Sequence, residues 1–343
     1  MRYRTLGKTG LNVAEVGIGT WQLMGDPGMW LEQNPSESQR ALQKYIEVGG
    51  NFIDTAWVYG FDDNNPDRHP SEELIGDFVK SSKIRDQVIL ATKVAPKNWH
   101  WPAWKTDKIE DCFPSDHIVK QVEDSLRSLQ VETIDLVQFH VWQDRWVEQD
   151  EWKETVQKLI QSGKVRYWGI SINDYQPENC LDTLKAVDFI STIQFIFNIF
   201  HQKPREQLLP YAAEHNIGLI ARVPLDEGGL TGKFTKSTNF VEGDLRKKYF
   251  AGDRLGELVD RTNALKELMG TTAETLTEFS LRYILSHSAV STVIPGMRKE
   301  QYVVENTSVS DGQSLTSEML AELENHSWER NFYSFGDPAL SED

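Results

Sequence analysis

Four residues of the 343-residue chain are candidates for chemistry, and three of them stand where a short apolar run ends. Asp54 closes Phe52-Ile53, Lys93 follows Ala91-Thr92, and His140 follows Asp135-Leu136-Val137-Gln138-Phe139. The fourth, Tyr59, lies five residues beyond Asp54, in Asp54-Thr55-Ala56-Trp57-Val58-Tyr59-Gly60. A phenol is a weak acid at neutral pH, with a pKa of ~10, and a neighbouring ammonium lowers that value by favouring phenolate. An aspartate beside the ammonium keeps it charged and in place. A histidine facing the phenol can hydrogen-bond a carbonyl oxygen and orient it. Such a set makes the tyrosine a proton donor to an oxygen that gains negative charge. Protein side chains supply no hydride, so reduction by this set implies a nicotinamide cofactor. Singly, each residue has a plainer explanation: Asp54 as a turn cap, Lys93 as a solvated lysine, His140 and Tyr59 as packing. Their coincidence with Ser171, Gln194, Arg222 and Arg298, which end further apolar runs, points to one shared mouth.

The elements that must position these residues alternate almost from end to end. β-Branched clusters and 3.6-residue periodicity predict a hairpin over Tyr3–Val13, turning at Gly7-Lys8-Thr9-Gly10. Strands follow at Val16–Thr20, Phe52–Thr55, Val88–Thr92, Ile134–Phe139, Arg166–Ile172, Ile190–Ile196, Gly218–Val223 and Thr292–Ile294. Helices are expected from Ser36 (with a capping box, Ser36-Glu37-Ser38-Gln39), Ser71, Ser115, Trp152, Pro177 and Pro204, with two within Gly256–Ser286. Another is expected from Lys299, and a last one around Ser317–Glu329. Eight strand–helix units imply a parallel sheet and fit a single (β/α)8 TIM barrel over residues 1–343, with an N-terminal β-hairpin and extra C-terminal helices. A two-domain Rossmann arrangement is the alternative, but Gly17-Ile18-Gly19-Thr20-Trp21-Gln22 lacks the third glycine of that fingerprint. Pro96–Pro114 and Phe234–Arg254 follow strands, so a barrel places both on the face where active sites are built.

Composition removes other classes. Thirty-six basic against 52 acidic residues give a net charge of −16, which argues against nucleic acid as a partner. No apolar run approaches the ~18 residues a membrane span needs, and MRYRTLGKTG is no signal peptide. Cys112 and Cys180, far apart in sequence, suit a reducing compartment and offer no metal spacing. The expectation is a cytoplasmic enzyme, a monomer or weak homo-oligomer, with no membrane or metal. Hydrolase and zinc-protease signatures are missing.

With these residues in order, the sequence resembles the aldo-keto reductase family from Tyr3 to about Asn306. The resemblance is carried by Tyr3-Arg4-Thr5-Leu6-Gly7, Asp54-Thr55-Ala56 with Tyr59-Gly60, Ala91-Thr92-Lys93 and Asp135 to His140. Gly169-Ile170-Ser171, Gly229-Leu230-Thr231-Gly232-Lys233 and Ile294-Pro295-Gly296 extend it. It implies a barrel that binds NADPH across its C-terminal face and reduces a small carbonyl substrate, with Asp54, Tyr59, Lys93 and His140 as the catalytic tetrad. For the cofactor it implies Thr20, Trp21 and Asp54, then Ser171, Asn173 and Gln194 around the nicotinamide. Asn173 stands one residue further from Ser171 than the usual adjacent pair; residues two apart on a strand still share a face. Arg222 stands where the family usually stacks an aromatic ring, and is expected to touch the nicotinamide or substrate and disfavour bound NADP⁺. Pro224, Leu225, Gly229, Leu230, Gly232 and Lys233 resemble the segment over the pyrophosphate. Gly296, Arg298, Tyr302, Glu305 and Asn306 resemble the adenosine end, where Arg298 suits a 2′-phosphate.

Two other functions compete. An aldolase using Lys93 as a Schiff-base nucleophile leaves Tyr59 and the glycine segment unexplained. A catalytically weak NADP(H)-binding regulatory subunit, of the channel β-subunit type, is the stronger alternative. For substrate walls the candidates are Trp21, Trp57, Trp99 and Trp142, with the Trp99/Trp101/Trp104 cluster either wall or loop core.

Overall fold

The computed structural model describes residues 1–25, 29–31, 34–328 and 330–331. Strands β1 (Tyr3–Thr5) and β2 (Asn12–Ala14) pair antiparallel around a 3-10 turn at Gly7–Thr9. Leu6, Leu11 and Val13 of this hairpin pack on Phe52, Ile89, Leu136 and Ile220, apolar residues at the N-terminal ends of several barrel strands or facing them. The hairpin therefore plugs that end.

The barrel strands are β3 (Ile18–Gly19), β4 (Phe52–Asp54), β5 (Ile89–Val94), β6 (Ile134–Phe139), β7 (Val165–Ser171), β8 (Ile190–Ile196), β9 (Gly218–Arg222) and β10 (Thr292–Val293). Each pairs in parallel with its sequence neighbour. Bridges Val16↔Val293 and Gly19↔Gly296 join first to last, so the eight strands close into a (β/α)8 barrel. β5, β6 and β8 are buried along their whole length, as strands with packed interior on one side and helices on the other must be.

The helices depart from expectation at their ends, for local reasons. The first runs Pro35–Glu47: Asn34, not Ser36, caps it, its side chain accepting from Ser36 N and Glu37 N at 3.0 and 3.3 Å, with Pro35 at the first position. The second, Pro70–Ser82, likewise begins at its proline. The helix expected from Pro177 is only Leu181–Ala186; in the turn before it the Asn179 side chain donates to Trp142 O (3.1 Å) and to Gln176 Oε1 (3.2 Å). From Pro204 the chain makes a 3-10 turn and then Leu208–His215. The two long loops contain short helices, Ile109–Cys112 and Leu245–Tyr249. The last helix spans Ser317–Glu324, short of Glu329, which lies outside the described residues. No helix among the described residues is long and apolar enough to cross a membrane.

Candidate active site

Strand ends β4, β5 and β6 bring Asp54, Lys93 and His140 to one mouth, and the loop after β4 returns Tyr59 to them. Asp54 and Lys93 are both about 1% exposed. Lys93 Nζ donates to Asp54 Oδ1 (2.5 Å), to Thr55 O (2.7 Å) and to Tyr59 OH (3.4 Å). A buried ammonium so surrounded has its three protons placed. Asp54 Oδ2 accepts from Gln194 Nε2 at 2.8 Å and from Gln138 Nε2 at 3.4 Å. Sequence reasoning missed Gln138 as a positioning residue, although it sits two before His140 and so shares its face of β6. Thr20 and Thr55 hydroxyls meet on Ser71 Oγ (3.0 and 2.9 Å), and Thr20 Oγ1 also donates to Asp54 O, which ties the helix at Pro70–Ser82 to the site.

Burial sets the charges. It pushes the Tyr59 phenol above its ordinary value, and the nearby Lys93 ammonium only partly offsets this. Net lowering by Lys93 was the sequence expectation; desolvation outweighs it. For Lys93 the order reverses: burial favours the neutral amine, yet Asp54 and Tyr59 together raise its pKa, so it stays charged. His140 is driven well below its usual value by burial, then by Lys93 and Arg222, and is neutral. Its ring stands edge-on to Tyr59 at 5.7 Å, and its Nδ1 is buried with no partner among the described residues.

Tyr59 and His140 line a cavity of about 900 Å³ at the C-terminal face. Thr20, Trp21, Asp54, Ser171, Asn173, Gln194, Arg222, Pro224, Leu225 and Lys233 line it too, as do Gly296, Arg298, Tyr302, Glu305 and Asn306. Lys93 lies just behind, and Gly229, Leu230 and Gly232 are packed away from it: Leu230 is in the core, and Gly232 O accepts from Lys266 Nζ. The glycines that shape this segment are Gly228 (φ +93°) and Gly232 (φ +66°), where a side chain would be strained. Val223, Asp226 and Glu227 also hold positive φ, an outlier for a β-branched residue. Asn198 Nδ2 pins Val223 O at 2.9 Å, and Arg330 and Tyr249 hold the buried Asp226 carboxylate.

Two residues expected beside the nicotinamide, Asn173 and Arg222, line the cavity with polar partners of their own. The Asn173 amide is spent on backbone: Oδ1 accepts from Ala103 N and Trp142 N, each at 3.3 Å, and Nδ2 donates to Ala103 O at 2.9 Å. It braces two loops against the cavity wall. Arg222 donates to Ile172 O (3.1 Å) and to Asp174 Oδ1 (2.5 Å), so a carboxylate offsets its charge.

Aromatic rings build the remaining wall. Trp21, Trp30, Phe61, Trp99 and Trp101 line the cavity. Trp57 and Trp142 do not: Trp57 packs on His69 and Phe61, and Trp142 sits in a core cluster with Phe139 and Trp152. Trp104 stacks on His100, so the tryptophan cluster divides between wall and loop core.

The donor set fits a phosphorylated dinucleotide. Lys233 and Arg298 carry positive charge into the cavity, Lys233 Nζ lying 5.3 Å over the Tyr302 ring, and amide and hydroxyl groups lie nearer the tetrad. A barrel that gathers Asp54, Tyr59, Lys93 and His140 at one mouth is the arrangement to compare with known proteins, and comparison gives it a family. The model of the aldo/keto reductase family matches residues 15–327. Aldo-keto reductase YhdN of Bacillus subtilis is 33% identical over 321 residues, spanning 93% of this chain and 91% of its own. The glycerol dehydrogenase structure from Gluconobacter oxydans superposes with a TM-score of 0.74 at 28% identity, over 94% of each chain. A probable voltage-gated potassium channel subunit beta of Oryza sativa is 26% identical, over 94% of this chain and 96% of its own. The chain belongs to the aldo/keto reductase family, a class of NADP(H)-dependent carbonyl oxidoreductases.

Proposed function

We propose that this chain reduces an aldehyde or ketone to an alcohol with NADPH, Tyr59 giving the proton. The observation that carries this reading is the phenol 3.4 Å from a fully buried lysine that Asp54 locks in place, beside a neutral histidine. Bound NADPH supplies the hydride. The carbonyl oxygen is held between Tyr59 OH and the His140 ring. Because His140 is neutral, it orients that oxygen by hydrogen bonding and does not protonate it. The buried phenol keeps its proton until charge develops on the oxygen, and the phenolate left behind faces the Lys93 ammonium. Asp54 keeps that ammonium charged, and Gln138 and Gln194 keep Asp54 aimed.

Arg298 and Lys233 support NADPH over NADH, as guanidinium and ammonium groups suited to a 2′-phosphate and a pyrophosphate. Glu305 and Asn306 suit the adenine. Ser171 and Gln194 are the polar groups for the carboxamide, with Asn173 bracing the wall behind them. A single-domain cytoplasmic enzyme remains part of the reading, supported by two buried free cysteines. The kinship to channel β subunits supports a second reading, cofactor binding without appreciable turnover. Tryptophan-fluorescence titration with NADPH and NADH, followed by carbonyl turnover, tests both. Tight NADPH binding with turnover is expected; binding without turnover of any carbonyl favours the regulatory reading, and no binding removes the reductase.

A further inference from the structure

The lining cations of the cavity come from one part of the chain, while its carboxylates come from both parts. Among the described residues that line it, those up to Val141 include the carboxylates of Asp54 and Asp63 and no lysine or arginine. The lining cations Arg222, Lys233, Arg246 and Arg298 all come from the later half of the chain, where the cofactor groups lie. The nearby bases of the first half are occupied or elsewhere. Lys93 is held by Asp54, Arg68 by Glu73, and neither Lys97 nor Lys105 lines the cavity. Residues 26–28 and 32–33, between the lining segments, read Asp-Pro-Gly and Glu-Gln and bring no base in sequence. Asp62, Asp63 and Asp67 are all exposed in the loop that follows Tyr59.

The lining segments up to Val141 also carry rings that bracket the reacting groups. Trp21 stacks along Tyr59 (centroids 6.0 Å apart, planes at 24°), and Trp30 meets Trp21 edge-on at 5.6 Å. Trp101 stands edge-on to His140 at 4.6 Å, and Phe61 lies against Trp99 at 5.2 Å. A ring face carries negative potential. Among the described residues the one cation against these rings is Arg246, 5.4 Å over Trp30, and Asp244 holds its guanidinium. An anion brought over the faces of Trp21, Trp101, Trp99 and Phe61 therefore loses its hydration without a cation to replace it, and Asp63 repels it. A cation gains from both features, and a neutral flat or apolar frame gains from contact area.

We infer that the carbonyl substrate is neutral or cationic on a flat or apolar frame, and that carboxylated and phosphorylated carbonyl compounds are turned away. The inference rests on the carbonyl-reductase reading above and concerns which carbonyls the site admits. Arg222 does not rescue an anion, because Asp174 already faces its guanidinium at 2.5 Å.

The test compares three benzaldehydes whose para substituents are trimethylammoniomethyl, neopentyl and carboxymethyl. The first two are nearly isosteric, and the methylene insulates the carbonyl from the charge. The readout is kcat/KM with saturating NADPH at fixed ionic strength. The expected order is cation at or above neutral, with the anion at least tenfold below, chiefly through KM, and the gap narrowing as salt screens it. Trp99, about half exposed, offers a second handle: Trp99→Arg is expected to raise the anion's kcat/KM relative to the neutral compound's by several-fold. An anion reduced within threefold of the neutral aldehyde by the unmodified enzyme overturns the inference, as does a cation reduced less well than the anion. If the protein binds NADPH and reduces neither these three nor any other carbonyl, the carbonyl-reductase reading itself falls, and this inference with it; turnover of other carbonyls but of none of these overturns the inference alone.

Discussion

Glu72→Gln is expected to flatten the dependence of stability on pH. Glu72, on the helix Pro70–Ser82, is fully buried behind the site; its Oε1 accepts from Thr92 Oγ1 at 2.5 Å, and its Oε2 has no partner among the described residues. Burial pushes its carboxyl up from 4.5 to about 7, with the Thr92 hydroxyl opposing and Asp124 and Glu73 adding to the rise. The unfolded glutamate loses its proton near 4.5, and the folded one holds it to about 7. Between those values the native state binds more protons, so stability falls as pH rises through the window and levels above it. At ~1.36 kcal/mol per pH unit the whole window is worth about 3 kcal/mol. The amide of glutamine keeps the neutral shape and cannot ionise, so the variant loses this slope and gains on the unmodified protein at pH 8. Urea unfolding of both proteins at intervals from pH 5 to 8 measures it. Parallel stability profiles would refute the assignment.

Four further outcomes follow from the site. Lys93→Met strands a buried carboxylate; breaking such a pair costs about 3–5 kcal/mol, so a thermal midpoint unchanged from the parent would contradict the pairing of Lys93 with Asp54. Arg298→Ala is expected to weaken NADPH binding by ~10- to 100-fold, the worth of a charged hydrogen bond, while leaving NADH nearly unaffected; titration of both nucleotides decides. Asp174→Asn uncovers the Arg222 guanidinium, and is expected to weaken NADP⁺ more than NADPH, read as the ratio of the two dissociation constants; an unchanged ratio removes Arg222 from the nicotinamide's neighbourhood. Because burial raises the Tyr59 phenol above ~10, the rate of reduction should hold through neutral pH and decline only in strong alkali; a pH–rate profile falling near pH 8 contradicts that.

The barrel was legible because alternation is a long-range signal, repeated eight times, and no single error breaks it. Helix ends were less so. The first helix starts at Pro35 because Asn34 accepts its amides, and Ser36-Glu37-Ser38-Gln39 offered a competing start that looks as good in sequence. Asp54, Lys93 and His140 could be read from strand ends, and Tyr59 only from its short spacing beyond Asp54. What could not be read were balances and partners. Whether Lys93 or burial governs Tyr59 depends on how much protein surrounds the phenol. That Asn173 braces Ala103 and Trp142, and that Asp174 faces Arg222, depends on loops meeting across the mouth. Tryptophan identity likewise says nothing of direction, and Trp57 and Trp142 turned inward while Trp30 and Trp101 turned to the cavity.

The central claim is that Tyr59 hands the proton to the carbonyl oxygen, and Tyr59→Phe tests it most directly. NADPH binding, followed by tryptophan fluorescence, is measured beside single-turnover reduction of an aldehyde by the same preparation. The account predicts binding within a few-fold of the parent and reduction slower by ~10²-fold or more, the usual worth of a positioned acid. Reduction by the phenylalanine variant within a few-fold of the parent rate would contradict it.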